Sequence, residues 1–353
     1  MALAPDGQLY GVTEGPGLLR RVWSAYRLRW KRRELLWRCI RAGRELHSVA
    51  DRTPHIRPQD ILLFCVIRNE APRLPEFLAH YRQLGVGHFL FVDNDSTDEA
   101  QAVLAAQPDV SLWRCGGSYR DTRFGLDWSG ALLRRFGHGH WCLTVDADEL
   151  LIYPQHDRLD LRQLTRHLAA QGAQAMGALM LDLYPSGPLG TADAGPEAPL
   201  TERLPFFDAG PYRAQRLMPR RNLWVQGGVR ERVFFADRPR LSPTLNKLPL
   251  VNWRRGMVYV NSTHSLLPPR LNHAWDGPGD PRPSGVLLHG KFLPEIVEKS
   301  AEELERRQHF LRPEAYADYH RAIVARPVLH TGSSCRFDGW QQLVSLSLMS
   351  ALP

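Results

Sequence analysis

Four short apolar runs, each breaking off into acids or amides, set the tightest limit on what this chain can fold into. Ile61–Ile67 leads into Arg68-Asn69-Glu70, and residues 88–92 lead into Asp93-Asn94-Asp95-Ser96-Thr97-Asp98. Residues 110–115 lead into Gly116-Gly117-Ser118-Tyr119-Arg120-Asp121, and residues 141–145 into Asp146-Ala147-Asp148-Glu149. Apolar runs of this length, rich in β-branched and aromatic residues, read as buried strands. Between them lie patterns with helical spacing: Leu74, Phe77, Leu78, Tyr81 and Leu84; Ala100, Val103 and Leu104; Phe124, Trp128, Ala131 and Leu132. The alternation predicts an α/β fold with a Rossmann-like, mostly parallel central sheet and helices on both faces. Such sheets bind ligands in the crevice beyond the carboxyl ends of their strands, where all four runs place polar groups.

Three carboxylates at the end of a core strand are unfavourable to pack unless a cation neutralises them. A divalent ion carrying a phosphorylated substrate meets that need, because Mg²⁺ and Mn²⁺ bind through one or two carboxylates plus phosphate oxygens. Asp146 and Asp148 are therefore the expected metal ligands, Asp148 first. The plain alternative is a solvated loop with a helix N-cap. An EF-hand begun at Asp146 fails, because it needs Gly and Glu where the chain has Leu151 and Asp157. Gly85-Val86-Gly87 precedes its strand and lacks a third glycine, so it is not a dinucleotide fingerprint.

Several motifs recur in an order and spacing that is recognisable. Arg68-Asn69-Glu70, Leu74-Pro75-Glu76-Phe77-Leu78-Ala79-His80-Tyr81, Val92-Asp93-Asn94-Asp95-Ser96-Thr97-Asp98 and Asp146-Ala147-Asp148-Glu149-Leu150 resemble the family-2-like glycosyltransferases of the GT-A fold. The resemblance runs through Gly227-Gly228-Val229-Arg230-Glu231-Arg232 and Leu287-Leu288-His289-Gly290-Lys291-Phe292-Leu293, and covers roughly residues 60 to 325. Asp95 departs from a usual glycine, and Gly290 from an aromatic that often follows the late histidine. The resemblance implies a GT-A type sheet and a Mn²⁺- or Mg²⁺-dependent enzyme. Its donor would be a UDP- or GDP-linked sugar, and its acceptor a hydroxyl of a glycan or lipid-linked molecule.

Each step of that chemistry needs named groups. A metal must neutralise the leaving nucleoside diphosphate. The resemblance implies a late histidine beside it, which makes His289 the third ligand, with His264 the runner-up. Lys247 is a candidate phosphate partner, and a surface lysine is the dull alternative. Asn69, Glu70 and Asp93 are placed to accept hydrogen bonds from ribose or base, with Arg123 a further donor contact. Transfer that inverts the anomeric centre needs a base for the acceptor hydroxyl. Glu231 lies in the segment resembling the acceptor-side motif, and its neighbours Arg230 and Arg232 would favour its ionised form while weakening it as a base. Asp182 and Asp208 are the alternatives, as is a structural Glu–Arg pair.

Other classes fit less well. A nucleotidyl- or phosphotransferase would want a Gly-rich phosphate loop after the first strand, which Arg68-Asn69-Glu70-Ala71-Pro72 is not. An inactive descendant serving as a membrane-surface interaction module is the non-enzymatic alternative, and intact acids at four strand ends argue against decay. The five cysteines are scattered and odd in number, as in a reducing compartment. No run nears the ~18 apolar residues of a membrane span, and residues 1–6 lack a signal-peptide core. A cytoplasmic protein, peripheral on the inner face of a membrane, is the expectation.

That expectation rests on charge placement. Residues 20–44 hold ten basic residues against Glu34 alone, a net +9, while the whole chain carries +8. At helical spacing Leu19, Val22, Trp23, Tyr26, Trp30, Trp37 and Ile40 share one face. A basic helix with such a face suits an anionic membrane surface through residues 19–44; a helix docked on the protein's own core is the equal alternative. Nucleic acid is not an expected partner, because the bases are confined to one segment. The expected organisation is a basic arm (1–57), a GT-A-like domain (58–326) and a C-terminal extension (327–353). Residues 185–205, rich in Pro and Gly, form a long surface loop and a candidate lid.

Overall fold

Alternate residues of the first apolar run face opposite sides of a central sheet, and this period of two divides the interior into two cores. The computed structural model describes residues 18–306 and 313–352; residues 1–6 and the link at 307–312 lie outside them. In chain order, α1 (Leu18–Ala42) leads to β1 (His47–Ala50), β2 (Ile61–Ile67), α2 (Leu74–Gln83), β3 (Val86–Asp93), α3 (Ala100–Ala105), β4 (Val110–Arg114), α4 (Leu126–Phe136) and β5 (Trp141–Thr144). After a tight reversal come β6 (Glu149–Ile152), α5 (Leu161–Ala170), β7 (Ala175–Asp182), α6 (Leu200–Arg203), β8 (Phe206–Phe207), β9 (Tyr212–Leu217), β10 (Asn222–Gly227) and α7 (Gly228–Phe234). Then follow β11 (Asn246–Asn252), β12 (Val258–Tyr259), β13 (Leu266–Leu267), β14 (Ser284–His289), α8 (Ile296–Arg306), α9 (Pro313–Val324), β15 (Cys335–Arg336) and α10 (Trp340–Ser345).

Nine strands form one sheet in the order β1-β4-β3-β2-β5-β11-β7-β14-β6. β2, β3, β4, β5, β7 and β14 point the same way, while β1, β6 and β11 run against them. The fold is thus α/β with a mixed, mostly parallel sheet. Ile61, Leu63, Cys65 and Ile67 pack with Leu74, Phe77, Leu78 and Tyr81 of α2 and with Leu161, Leu164 and Leu168 of α5. Leu62 and Phe64 pack on the other side with Trp128, Leu132 and Leu133 of α4 and with Ala42. Helices therefore cover both faces. Local signals agree: α5 starts at a capping box in which Asp160 and Gln163 exchange hydrogen bonds of 2.7 and 2.9 Å.

Described segments on both sides of residues 58–326 pack into this body. β1, placed by the sequence in the N-terminal arm, is the sheet's edge strand against β4. In the C-terminal extension, β15 pairs with β8, while Leu343, Leu348 and Met349 are buried in the α2/α5 core. Strand pairing and burial thus cross the expected breaks at residues 57 and 326. Helix α1 docks by its second half, where Leu35, Cys39 and Ala42 are buried, and Arg38 pairs with Asp127 of α4 at 2.8 Å.

Candidate functional site

The parallel strands deliver their carboxyl ends to one edge of the sheet, and the candidate residues gather there. β5 ends just before Asp146. The chain then turns back through Ala147 and Asp148 into β6, which pairs antiparallel with β14 so that Glu149 lies opposite His289. On its other side β14 pairs parallel with β7, so that His289 lies opposite Asp182. Register thus brings residues 149, 182 and 289 together across three strands, with Asp148 immediately before β6.

His289 is buried between two carboxylates. Its Nδ1 donates to Asp182 Oδ1 at 2.6 Å, and its Nε2 lies 3.2 Å from Asp148 Oδ2. Burial alone would lower the His289 pKa, but Asp148 and then Asp182 outweigh it and hold it above its ordinary value. Asp182 is fixed from behind by Arg230, whose Nε and Nη2 donate at 2.6 and 2.9 Å. Burial would raise the Asp182 pKa, yet Arg230 and His289 bring it down to about 2. Asp148 is likewise held well below the carboxylate range by His289, Arg73 and Lys291, against the upward push of burial. This orienting carboxylate behind a histidine is the arrangement that presents Nε2 to a metal.

The remaining acids, Asp146 and Glu149, form a second group around Lys247. Lys247 enters from β11 with its side chain only 3% exposed, 3.0 Å from Asp146 Oδ2 and 2.8 Å from Glu149 Oε1. It is not a surface lysine. Burial would lower its pKa, but Asp146 and Glu149 raise it, and its ammonium pairs with those two acids. Glu149 is buried, Asp146 is largely exposed and Asp148 partly so, and the carboxylate oxygens open to solvent here belong to Asp146 and Asp148. Two cations that the sequence did not single out act on the Asp148 charge. Arg73 of the α2 entry lies 3.9 Å from it, and Lys291 has its pKa lowered by burial despite the acids around it.

The residues assigned to the nucleotide build the loops around this edge. Asn69 has φ +54° and accepts from Thr97 N at 2.7 Å. Asp93 accepts from Ser96 Oγ and, at 3.3 Å, from Ser96 N. Glu70 bonds Arg73 at 3.0 Å and Lys299 at 2.8 Å. Arg123 is the exception. Its guanidinium holds Asp127 and the carbonyls of Tyr259 and Val260 at 2.9 and 3.2 Å, so it tethers α4 to β12 rather than standing free for a donor.

Both motif departures have local causes. Asp95 sits at φ +58°, a left-handed position natural to glycine and tolerated by Asp. At Gly290, a Cβ would come within 2.9 Å of Leu200 Cδ1. Leu200 belongs to the 185–205 segment, which folds back over this edge: Leu200 N and Arg203 Nη2 bond Glu76 at 2.7 and 2.5 Å. A small cleft beside Asp148 is lined by Arg73, Leu200, Arg203 and Gly290.

The three base candidates are all paired. Asp182 serves His289, and Asp208 accepts from Arg232 and the Tyr184 hydroxyl. Glu231 is held by Arg213 through two bonds of 2.5 and 2.6 Å, not by its neighbours Arg230 and Arg232. His264 bonds the Asn246 carbonyl, and burial followed by Lys247 pushes its pKa down to about 3. It shares no contact with Asp148. No protein-family model matches the chain, and no curated protein matches it.

Proposed function

We propose that this edge of the sheet transfers a sugar from a nucleotide donor to an acceptor hydroxyl with the help of a divalent ion, Mn²⁺ or Mg²⁺. The observation that carries this reading is the line Asp148, His289, Asp182 and Arg230, which ends in an imidazole nitrogen beside an accessible carboxylate. These residues fit an ion. Asp148 and His289 would hold it with Asp146 beside them, and its loading would exchange for the proton on Nε2. A site of this kind would be completed by diphosphate oxygens and water. A bound ion would offset the charge that builds on the diphosphate as its bond to the sugar breaks.

The chain's own residues supply the rest. Lys291 would add positive charge at the Asp148 side for a diphosphate, while Arg73 is held by Glu70 and Glu295 at 3.0 Å each. Asn69 and Asp93 shape the loop that would receive the nucleoside. Of the three acids considered for proton removal, Glu231 has the partner most able to leave, because Arg213 is half exposed. The test of the reading is a screen of nucleotide sugars with Mn²⁺ or Mg²⁺, following release of nucleoside diphosphate. No release from any donor, with or without acceptor extracts, overturns it.

Two variants refine the assignment. His289→Ala should weaken metal-dependent nucleotide binding about tenfold or more, in the range for loss of an oriented metal ligand, whereas His264→Ala should change it far less. Calorimetric titration showing the reverse order moves the ligand role to His264. Glu231→Gln should lower turnover while leaving nucleotide affinity nearly unchanged. Normal turnover in a variant that merely melts earlier makes the Arg213 pair structural.

A further inference from the structure

Helix α1 has two unlike faces, and only one of them is used. Leu28, Leu35, Cys39 and Ala42 recur at helical spacing and dock on Val258, Leu267 and α4. The approach is close: a Cβ on Gly130 of α4 would come within 2.5 Å of Cys39 Sγ. On the opposite side run Val22, Trp23, Tyr26, Trp30 and Trp37. Their large side chains stay in solvent, with Trp23 61%, Trp30 53% and Trp37 68% exposed. Trp23 stacks on Tyr26 with ring centroids 5.8 Å apart, and Arg33 covers Trp30 at 5.1 Å. From Leu19 to Trp37 the row spans about 27 Å of helix, at 1.5 Å per residue.

An exposed row of that size on a soluble domain marks an interaction surface. Its border says with what. Arg27, Arg29, Arg33 and Arg41 are exposed along its two sides, while Arg38 and Lys31 are committed to Asp127 and Glu34. We propose that this free face of α1 lies in the headgroup plane of an anionic lipid bilayer, with Trp and Tyr at the acyl boundary and the arginines on lipid phosphates. A second copy is a poor occupant, because each segment carries +9 and the two would repel. The helix is not a span: none of the described helices is long and apolar enough to cross a membrane. The proposal is independent of glycosyl transfer.

Removing residues 19–44 is the wrong test, since it would strip Leu35, Cys39 and Ala42 from the core. The full chain should instead be sedimented with phosphatidylcholine vesicles, with and without phosphatidylserine. Binding should require phosphatidylserine and weaken as salt rises. Arg27→Gln, Arg29→Gln and Arg41→Gln should each weaken it about fivefold, the equivalent of ~1 kcal/mol per basic residue near the surface. Trp23→Ser combined with Trp30→Ser and Trp37→Ser should abolish it while melting remains that of the parent, because these side chains are already in water. Absence of vesicle binding at low salt, or equal binding by the tryptophan variant, overturns the proposal. So does concentration-dependent dimerisation that the tryptophan variant removes, or binding to duplex DNA in place of vesicles.

Discussion

Asp148→Asn should lower turnover with any accepted donor by about 10² to 10³-fold, the range for loss of one charge-stabilising contact at a reacting centre. The change keeps the size of the side chain and removes its charge. In the free protein that charge holds His289 Nε2 at 3.2 Å and faces Arg73 at 3.9 Å. With the charge gone, the proposed ion loses its most direct carboxylate, and Asp146 remains pinned by Lys247 at 3.0 Å. Asp146→Asn should therefore cost less than Asp148→Asn, and the two together little more than Asp148→Asn alone, because both would serve one ion. Chelation of the parent should reproduce the loss, and added Mn²⁺ should reverse it. Full activity in excess chelator removes the ion from the mechanism, and a melting temperature far below the parent's would mark the loss as unfolding.

How much of this was readable in advance follows from which forces act locally. The four apolar runs became β2 to β5 because length, β-branching and flanking polar residues all agreed. Their acids converge because parallel strands end on one side, which needs no knowledge of distant contacts. β6 escaped notice because Glu149-Leu150-Leu151-Ile152 is four residues long and begins with an acid; only pairing with β14 makes it a strand. Lys247 read as a phosphate partner, with a surface group as the alternative, because nothing local says which face of β11 it takes, and its pairing is with acids about a hundred residues away. The same distance hid the pairing of Asp182 with Arg230, so Asp182 read as a spare base rather than as the support of His289. In α1 the large aromatic residues dominated the pattern. The smaller set opposite them, Leu35, Cys39 and Ala42, makes the dock. Each miss is a long-range contact outweighing a local cue.

Arg230→Met should be the most destabilising of these substitutions, by about 3–5 kcal/mol, because it leaves a buried carboxylate without its partner. The two side chains are 7% and 4% exposed, so solvent screens little of the interaction. Arg213→Ala makes the comparison: its guanidinium is 51% exposed, and its loss should cost no more than ~1 kcal/mol. Denaturant unfolding measures both, and equal effects would deny the Arg230 pair any special part. A double variant, Arg230→Met with Asp182→Leu, separates folding from function. Replacing both members of a buried pair by apolar groups is often neutral or better, so stability should return. Metal-dependent nucleotide binding should not return with it, because His289 then has no carboxylate on Nδ1 to aim Nε2 at Asp148. If the double variant recovers both, Asp182 and Arg230 are packing partners only. If it recovers stability alone, the pair is there to hold the histidine.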